Sequence, residues 1–242
     1  MTIYQTATNG PRYNALVTGF RAFEQTKLYD LLAAAPLIAW YSFALSVQVP
    51  RIAHQISSLD HATADTRVIA ALASNVSTQV FFLALTLLMI LRRPPKGKAF
   101  GFYPRFAAVA GTFLSLAIVL LPARELSSSL YVASTALIVG GIAFALYSLL
   151  VLGRSLSMLP EARQLVTKGP YSLIRHPLYL GEAIALVGVT LEYLSPWALG
   201  LLALQCIFQL ERMKNEEIVL ARAFPGYSDY AARTARLLPG VY

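Results

Sequence analysis

Four long stretches without a charged residue constrain this chain more than any other feature of its sequence. They run over Leu31–Val49, Val68–Leu91, Phe106–Pro122 and Leu130–Gly153 and hold 19, 24, 17 and 24 residues. A helix needs about 20 apolar residues to cross the hydrocarbon core of a bilayer, with a working range of about 17 to 25. Because lipid offers no partner to backbone N–H and C=O groups, such segments must be helical. The sequence therefore predicts four membrane-spanning helices.

The composition argues against a soluble protein, and the placement of charge argues against a nucleic-acid-binding one. Only 13% of the residues are charged and 57% are hydrophobic, whereas soluble domains carry about 25% charged residues. The net charge of +8 comes from basic residues in loops between apolar runs, and no basic helix with interleaved aromatic residues is present. We therefore expect an integral membrane protein that does not bind nucleic acid. His54 and His61 share one loop with no third ligand near, so no metal site is predicted.

Two shorter apolar runs follow the four long ones. They cover 178–194 and 196–210, hold 17 and 15 residues, and are separated by Ser195-Pro196. We expect a tight helical hairpin that nearly or just spans the membrane, followed by a charged helix over Glu211–Ala223 that Pro225-Gly226 stops.

The distribution of lysine and arginine predicts the topology. Residues 1–30, 92–105, 154–178 and 211–242 contain 17 basic residues, and the remaining loops contain 3. An excess of this size marks the cytoplasmic side. The predicted fold is an all-α membrane bundle of about six spans with both termini in the cytoplasm. Its parts are an N-terminal arm (1–30), a four-span bundle (31–153) and a chemistry-bearing back part (154–242), the last two forming one domain.

A polar, turn-forming segment over 165–181 lies between the fourth long apolar run and the helical hairpin. Pro177 disfavours a helical conformation at His176 and can begin the next helix. The free N–H groups of that helix start would lie beside an imidazole and Tyr171 and Tyr179, which predicts a polar pocket at the depth of the lipid headgroups.

The charged C-terminal helix offers a second half to this pocket. Arg212 and Glu216 are four residues apart and so share one helix face, whereas Glu217 points elsewhere. We expect this face to close over the pocket made by 163–181. Glu182 lies one turn into the preceding apolar run, and the sequence leaves open whether it lines the pocket or is a charge at a helix start.

Residues 160–242 resemble a family of membrane enzymes. The pattern L-V-T-x-G-x-Y-x-x-x-R-H-P-x-Y-x-G, then R-x-x-x-E-E, then Tyr227-x-x-Tyr230-x-x-Arg233 and Arg236-Leu-Leu-Pro239 is similar to that of the isoprenylcysteine carboxyl methyltransferases. It also resembles their relatives, the phospholipid N-methyltransferases. The resemblance implies an enzyme that uses S-adenosylmethionine without a Rossmann domain and releases S-adenosylhomocysteine.

The resemblance also implies roles for individual residues. It places Arg212 at the substrate, and Arg175 is the second candidate for that role. The residues implied to contact the cofactor are Arg163, Gln164, Leu165, Val166, Tyr171, His176, Pro177, Leu178, Tyr179, Gly181 and Glu216.

The methyl acceptor is lipophilic on this interpretation, and membrane lipid surrounds the site. A carboxylate of the isoprenylcysteine type is the leading expectation, because it needs an arginine to orient it and no base. A phospholipid amine or a phenol would need a base, for which His176 is the candidate. Two other functions stay open: an NADPH-dependent sterol or enone reductase, which looks similar at R-x-P-x-Y-x-G, and a transporter, which would need charged spans and repeats that are not seen.

Overall fold

A computed structural model describes residues 26–57 and 65–240 of the chain. Its α-helices are α1 (Lys27–Ser57), α2 (Thr66–Leu91), α3 (Phe102–Phe113), α4 (Ser128–Leu152), α5 (Pro177–Glu192), α6 (Pro196–Ala223) and α7 (Tyr227–Arg233). Short 3-10 helices cover Leu114–Leu120, Gly153–Ser155 and Gly169–Ser172, and the two strands are β1 (Gly97–Lys98) and β2 (Glu161–Ala162). The described residues form an all-α membrane bundle, so the predicted fold class is confirmed.

The four long apolar runs correspond to helices that can cross a membrane. The described part of the chain contains four helices that are long and apolar enough to do so: Lys27–Ser57, Thr66–Leu91, Phe102–Leu120 and Ser128–Ser155. The first begins at Lys27 rather than at Leu31, so Pro36 lies inside the helix. The third changes from α to 3-10 geometry at Leu114. Most of the predicted N-terminal arm lies outside the described residues.

Helices α4 and α5 approach each other so closely that their backbones touch. A Cβ atom on Gly141 would lie 2.4 Å from the Ala185 nitrogen, and one on Gly181 would lie 2.6 Å from the Ala145 nitrogen. Of the two adjacent glycines of α4, only Gly141 lies at this contact, because a Cβ on Gly140 would meet nothing within 4 Å. Small residues allow this approach where lipid supplies no hydrophobic driving force between helices.

The predicted hairpin is present, but its second helix is longer than expected. Ser195 accepts a hydrogen bond from the Ala198 nitrogen at 3.1 Å and caps α6, and Pro196 is its first residue. Helix α6 then runs without interruption for 28 residues to Ala223, about 42 Å. The prediction of a separate helix from Glu211 is wrong, because the change from apolar to charged residues includes no helix breaker. Helix α5 has 16 residues, about 24 Å, and its crossing of the membrane stays a prediction.

The loops after α2 and α4 are fastened together by a short two-stranded ribbon. Strands β1 and β2 pair antiparallel, with Gly97 opposite Ala162 and Lys98 opposite Glu161. The chain next to Ala162 is thereby fixed, and it enters the segment that begins at Arg163. The core lies between α1, α2, α4 and α5, with Met89 and Leu149 fully buried.

Candidate active site

A cavity of about 530 Å³ lies between the helices and the loop that precedes α5. One end is polar and is lined by Gln164, Tyr171, His176 and Glu216. The other end is apolar and is lined by residues from α1 to α4 such as Trp40, Phe81, Phe113 and Ile138. A space of this kind accommodates a molecule with a polar head and an apolar body.

The sequence predicts that the helix face of Arg212 and Glu216 meets the segment 163–181. The two do meet in this cavity. The Tyr179 hydroxyl at the start of α5 donates a hydrogen bond to Glu216 on α6. Arg212 Nε lies 3.2 Å from Glu216 Oε1, and its guanidinium carbon lies 4.9 Å from the centroid of the Tyr179 ring. Tyr179, Arg212 and Glu216 therefore form one cluster at the boundary between the polar and apolar ends.

Glu217, which the sequence interpretation leaves aside, is the anion of a second cluster, here called the Glu217 cluster. Its carboxylate lies 2.9 Å from Arg175 Nε, 3.2 Å from His176 Nε2 and 2.7 Å from Arg236 Nη2. Burial by itself would raise the pKa of Glu217, but the hydrogen bonds from His176, Arg236 and Arg175 hold it well below its usual range. The signal for Glu217 is its place in the adjacent glutamate pair, on a different face from Glu216.

Arg175 fastens the C-terminal tail to the start of α5. Its guanidinium also donates to the carbonyl oxygens of Ala231, at 2.7 Å, and Thr234. The backbone follows the same course, since the nitrogen of Arg175 donates to the carbonyl oxygen of Ala235 at 2.8 Å. The role at the substrate implied for Arg175 stays a prediction, and the contacts seen here are those of a clamp.

His176 lies between the two clusters. Its ring stacks on Tyr179 with centroids 5.5 Å apart and an interplanar angle of 13°, while Nε2 faces Glu217 as described. The neighbouring Pro177 begins α5. The imidazole therefore orients Tyr179, whose hydroxyl reaches Glu216 in the cavity.

A third cluster, the Asp30 cluster, holds the loop that carries the predicted cofactor residues. The fully buried Arg163 guanidinium lies 2.7 Å from Asp30 Oδ1 and 2.6 Å from Glu161 Oε2. Arg92 Nε donates to Asp30 Oδ2 at 3.0 Å. The sequence interpretation does not find Asp30, although an acidic residue at the edge of an apolar run is a signal for a buried partner.

Arg93 completes the support of this loop. Its carbonyl oxygen accepts a hydrogen bond from Arg163, and its guanidinium donates to Gln164. Arg163 and Gln164 both border the cavity, but these contacts are with the protein itself. Their contact with a cofactor stays a prediction.

The remaining predicted cofactor residues divide into two groups. Leu165, Val166, Tyr171 and Leu178 line the cavity. Gly181 instead faces α4 where the two helix backbones touch. Close packing therefore accounts for a glycine at this position. The cofactor contacts of both groups, and that of Pro177, stay predictions.

Glu182 lines the cavity, which decides the alternative that the sequence leaves open. Its Oε2 atom accepts a hydrogen bond from Gln209 Nε2 of α6 at 3.3 Å. One turn earlier on α6, Gln205 Nε2 donates to the carbonyl oxygen of Gly111 at 2.5 Å. These two glutamines were not predicted, because single glutamines in an apolar helix carry no motif.

Tyrosines of the loop and the tail close the polar end. Tyr230 donates to the carbonyl oxygen of Tyr171 at 2.7 Å, and burial raises the pKa of Tyr230 to about 12. Burial also raises the pKa values of Tyr171 and Tyr227. The hydroxyl groups of these two residues are buried and have no hydrogen-bond partner within residues 26–57 and 65–240. They therefore remain neutral donors that border the cavity.

Residues 129–226, which run from α4 to the end of α6, match the family model described as phospholipid methyltransferase. This confirms the resemblance recognised in the sequence and supports a membrane methyltransferase. The match covers less than half of the chain, and it shows that residues 129–226 are similar to the phospholipid methyltransferases. The first two helices and α3 lie outside the match.

Two metal-resistance proteins are similar to part of the chain. The nickel-cobalt-cadmium resistance protein NccN of Alcaligenes xylosoxydans xylosoxydans is 36% identical over 80 residues, 33% of this chain and 38% of that protein. The cobalt-zinc-cadmium resistance protein CzcN of Cupriavidus metallidurans is 39% identical over 77 residues, 31% of this chain and 35% of that protein. The chain thus spans little more than a third of the length of these curated relatives.

Proposed function

We propose that this protein transfers a methyl group from S-adenosylmethionine to a lipophilic acceptor at the cytoplasmic surface of the membrane. The observation that carries the proposal is the Tyr179–Arg212–Glu216 cluster, which lies where the polar end of the cavity meets its apolar end. The cluster falls within the segment that matches the methyltransferase family. That match favours methyl transfer over the reductase and transporter alternatives.

The residues at the polar end fit the donor. The buried hydroxyl groups of Tyr171 and Tyr227 lack partners in the described part of the chain, and a ligand with several polar groups would satisfy them. Glu216 is suited to the amino or ribose groups of the donor. The rings of Tyr171 and Tyr179 are suited to its positive sulfur, because aromatic faces attract cations.

When bound, the donor supplies a methyl carbon that is already activated by the positively charged sulfur. The protein then has to position the acceptor and to exclude water. Holding a nucleophile about 3–3.5 Å from the reacting carbon provides most of the available acceleration. The Glu217 and Asp30 clusters fix the two sides of the site, and the apolar end holds the acceptor body.

The resemblance favours an acceptor carboxylate of the isoprenylcysteine type, oriented by Arg212. The family match favours a phospholipid amine as the second candidate. For either acceptor, Arg212 is the cation that we expect to lie closest to the acceptor head, and it also lies beside Glu216.

Calorimetry with S-adenosylhomocysteine tests the donor site. We expect the wild-type protein in lipid nanodiscs to bind it with micromolar affinity, and Glu216→Gln to weaken binding. Glu211→Gln, on the exposed side of the same helix, is the matched control and should bind as the wild type does. Absence of binding to the wild-type protein would overturn the proposed function.

The role of Arg212 is separable from that of Glu216. Arg212→Ala should lower turnover more than it lowers donor affinity, because the resemblance places this side chain at the acceptor. Equal losses in the two quantities would reassign Arg212 to the donor.

A further inference from the structure

Arg212 is a buried cation in the wall of the cavity, and groups on three sides fix its guanidinium. Its Nε atom lies 3.2 Å from Glu216 Oε1, and its guanidinium carbon lies 4.9 Å from the centroid of the Tyr179 ring. Its Nη1 atom donates a hydrogen bond to Thr112 Oγ1 at 3.3 Å. Tyr179 and Glu216 belong to the segment that matches the methyltransferase family, whereas Thr112 lies on α3, outside that segment.

The packing of α3 against α6 holds Thr112 in this place. The carbonyl oxygen of Gly111 accepts a hydrogen bond from Gln205 Nε2 at 2.5 Å. A Cβ atom on Gly111 would lie 3.2 Å from Gln209 Oε1, so the two helices are close together here. Gln205 and Arg212 are seven residues apart, about two helix turns, and therefore share one face of α6. Helix α3 thus packs on the face that carries Arg212, and its register brings Thr112 to the guanidinium.

The hydroxyl of Thr112 is a fixed acceptor toward Arg212. Its hydrogen is directed to the carbonyl oxygen of Ala108, one turn earlier on α3, at 2.8 Å. The lone pairs of the oxygen are left for Arg212, which can only donate hydrogen bonds. With Nε bound to Glu216 and the guanidinium beside the Tyr179 ring, the bond to Thr112 prevents the guanidinium from pivoting in its own plane.

The far end of the guanidinium still has hydrogen-bond donors to offer to a ligand. Nη2 lies 4.0 Å from the sulfur of Met158, and sulfur is a weak acceptor. Within residues 26–57 and 65–240, Nη2 therefore has no oxygen acceptor. Because Arg212 lines the cavity, an oxygen of a molecule bound there can take that position.

We propose that Thr112 is a positioning residue for Arg212, and that its hydroxyl holds Nη1 so that Nη2 is presented to the head of the methyl acceptor. The inference rests on the proposed function, in which Arg212 orients the acceptor, and it adds a residue from a helix that carries no motif. Orientation matters because methyl transfer requires the nucleophile in line with the reacting carbon, and a displacement of about 1 Å can lower the rate by about a hundredfold.

Two probes with the same tail test this orientation without a reaction. They are dodecanoate, whose carboxylate accepts hydrogen bonds from Arg212, and methyl dodecanoate, its uncharged ester. Both are added to protein saturated with sinefungin, which carries a positive charge where the donor has its sulfonium. The chain has two tryptophans, and Trp197 is 78% exposed while Trp40 lines the cavity. In a Trp197→Phe background the fluorescence of Trp40 therefore reports occupation of the cavity.

We expect the wild-type site to bind dodecanoate at least about tenfold more tightly than the ester, because hydrogen bonds between two charged groups are the stronger ones. Thr112→Val keeps the shape of the side chain but removes its hydroxyl, and it should lower this preference at least about fivefold. Thr112→Ser restores the hydroxyl and should restore the preference. The affinity of Thr112→Val for S-adenosylhomocysteine should change little, since Glu216 keeps its hydrogen bond from Tyr179.

Thr78→Val is the matched control. Thr78 lies on α2, lines the same cavity and donates to the carbonyl oxygen of Ser74 at 2.8 Å, which is the same backbone bond that Thr112 makes on α3. This variant should keep the wild-type preference. In an Arg212→Ala background, Thr112→Val should have no further effect, because Thr112 acts through Arg212.

An unchanged preference in Thr112→Val, or an equal loss of affinity for both probes, would overturn the inference. Equal binding of the two probes by the wild-type site would overturn it as well, and so would a further loss of preference in the Arg212→Ala background. These results leave the donor site intact, since binding of S-adenosylhomocysteine is measured separately. Failure of that binding removes the methyl transfer itself, so the two failures can be told apart.

Discussion

The cavity is held from two sides by contacts of opposite character. Along α4 and α5, glycines bring two backbones together without any charge. At the loop and the tail, the Asp30 and Glu217 clusters fasten irregular chain with buried ion pairs. The first kind of contact depends on the absence of a side chain, and the second on the presence of every charged partner, because breaking a buried pair leaves an uncompensated charge.

The two charged clusters also differ in what they connect. The Glu217 cluster joins parts of the back region, between Arg175 and Arg236. The Asp30 cluster joins α1 and the end of α2, which lie before the family-matched segment, to Arg163 within it. The first two helices are therefore structural partners of the site, although they carry no motif of their own.

The largest expected effect comes from removing the anion of the Asp30 cluster. Asp30→Ala leaves Arg92 and Arg163 buried without their shared carboxylate, which should cost about 3–5 kcal/mol of stability. Denaturation of the purified protein in mixed micelles measures the change. Lys27→Ala is the control, since Lys27 is the partly exposed partner of Asp30 and its loss should cost about 1 kcal/mol or less. Equal stability of the two variants would remove the cluster as a support of the loop.

Removal of Glu217 should have the next largest effect. Glu217→Ala should cost about 2–3 kcal/mol, less than Asp30→Ala, because its partner Arg236 is partly exposed to solvent that screens the charge. Hydrogen exchange should rise selectively in α7, which Arg175 helps to hold. A uniform rise over all helices would show that the cluster supports the whole bundle rather than the tail.

The uncharged contact between α4 and α5 is tested by substituting two adjacent glycines of α4. Gly141→Ala places a Cβ 2.4 Å from a backbone nitrogen of α5, and we expect a loss of about 1–3 kcal/mol from the forced separation of the helices. Gly140→Ala meets nothing within 4 Å and should be neutral or slightly stabilising, since alanine favours helix over glycine. Similar melting temperatures for the two variants would contradict the close approach of α4 and α5.

The smallest effect is the pH dependence of the Glu217 cluster. The pKa of Glu217 is below its ordinary value of 4.5 in the folded protein, so the unfolded chain binds its proton first as the pH falls. The stability due to Glu217 is complete above pH 4.5 and is lost progressively at lower pH. The melting temperature of the wild type should therefore fall more steeply below pH 4.5 than that of Glu217→Gln. Parallel curves would show that Glu217 is not tied to its cationic partners.

The parts of the structure that were predicted correctly depend on local sequence. An uncharged run of about 20 residues forms a helix in lipid whatever surrounds it. Ser195-Pro196 starts a helix locally, through the side-chain cap of Ser195 and the fixed backbone angle of Pro196. The spacing of Arg212 and Glu216 likewise fixes their common face. The continuous course of α6 was missed because a change of polarity was interpreted as a boundary, although only a helix breaker makes one.

The sequence by itself determined a membrane bundle, the positions of its main helices and the residues that resemble a methyltransferase. Only the tertiary structure decided which polar groups meet. Arg163 and Asp30 are 133 residues apart, and the amide groups of Gln205 and Gln209 are oriented by partners on α3 and α5. The physical reason is that helix formation is a property of neighbouring residues, whereas the partner of a buried charge is chosen by the packing of the whole bundle.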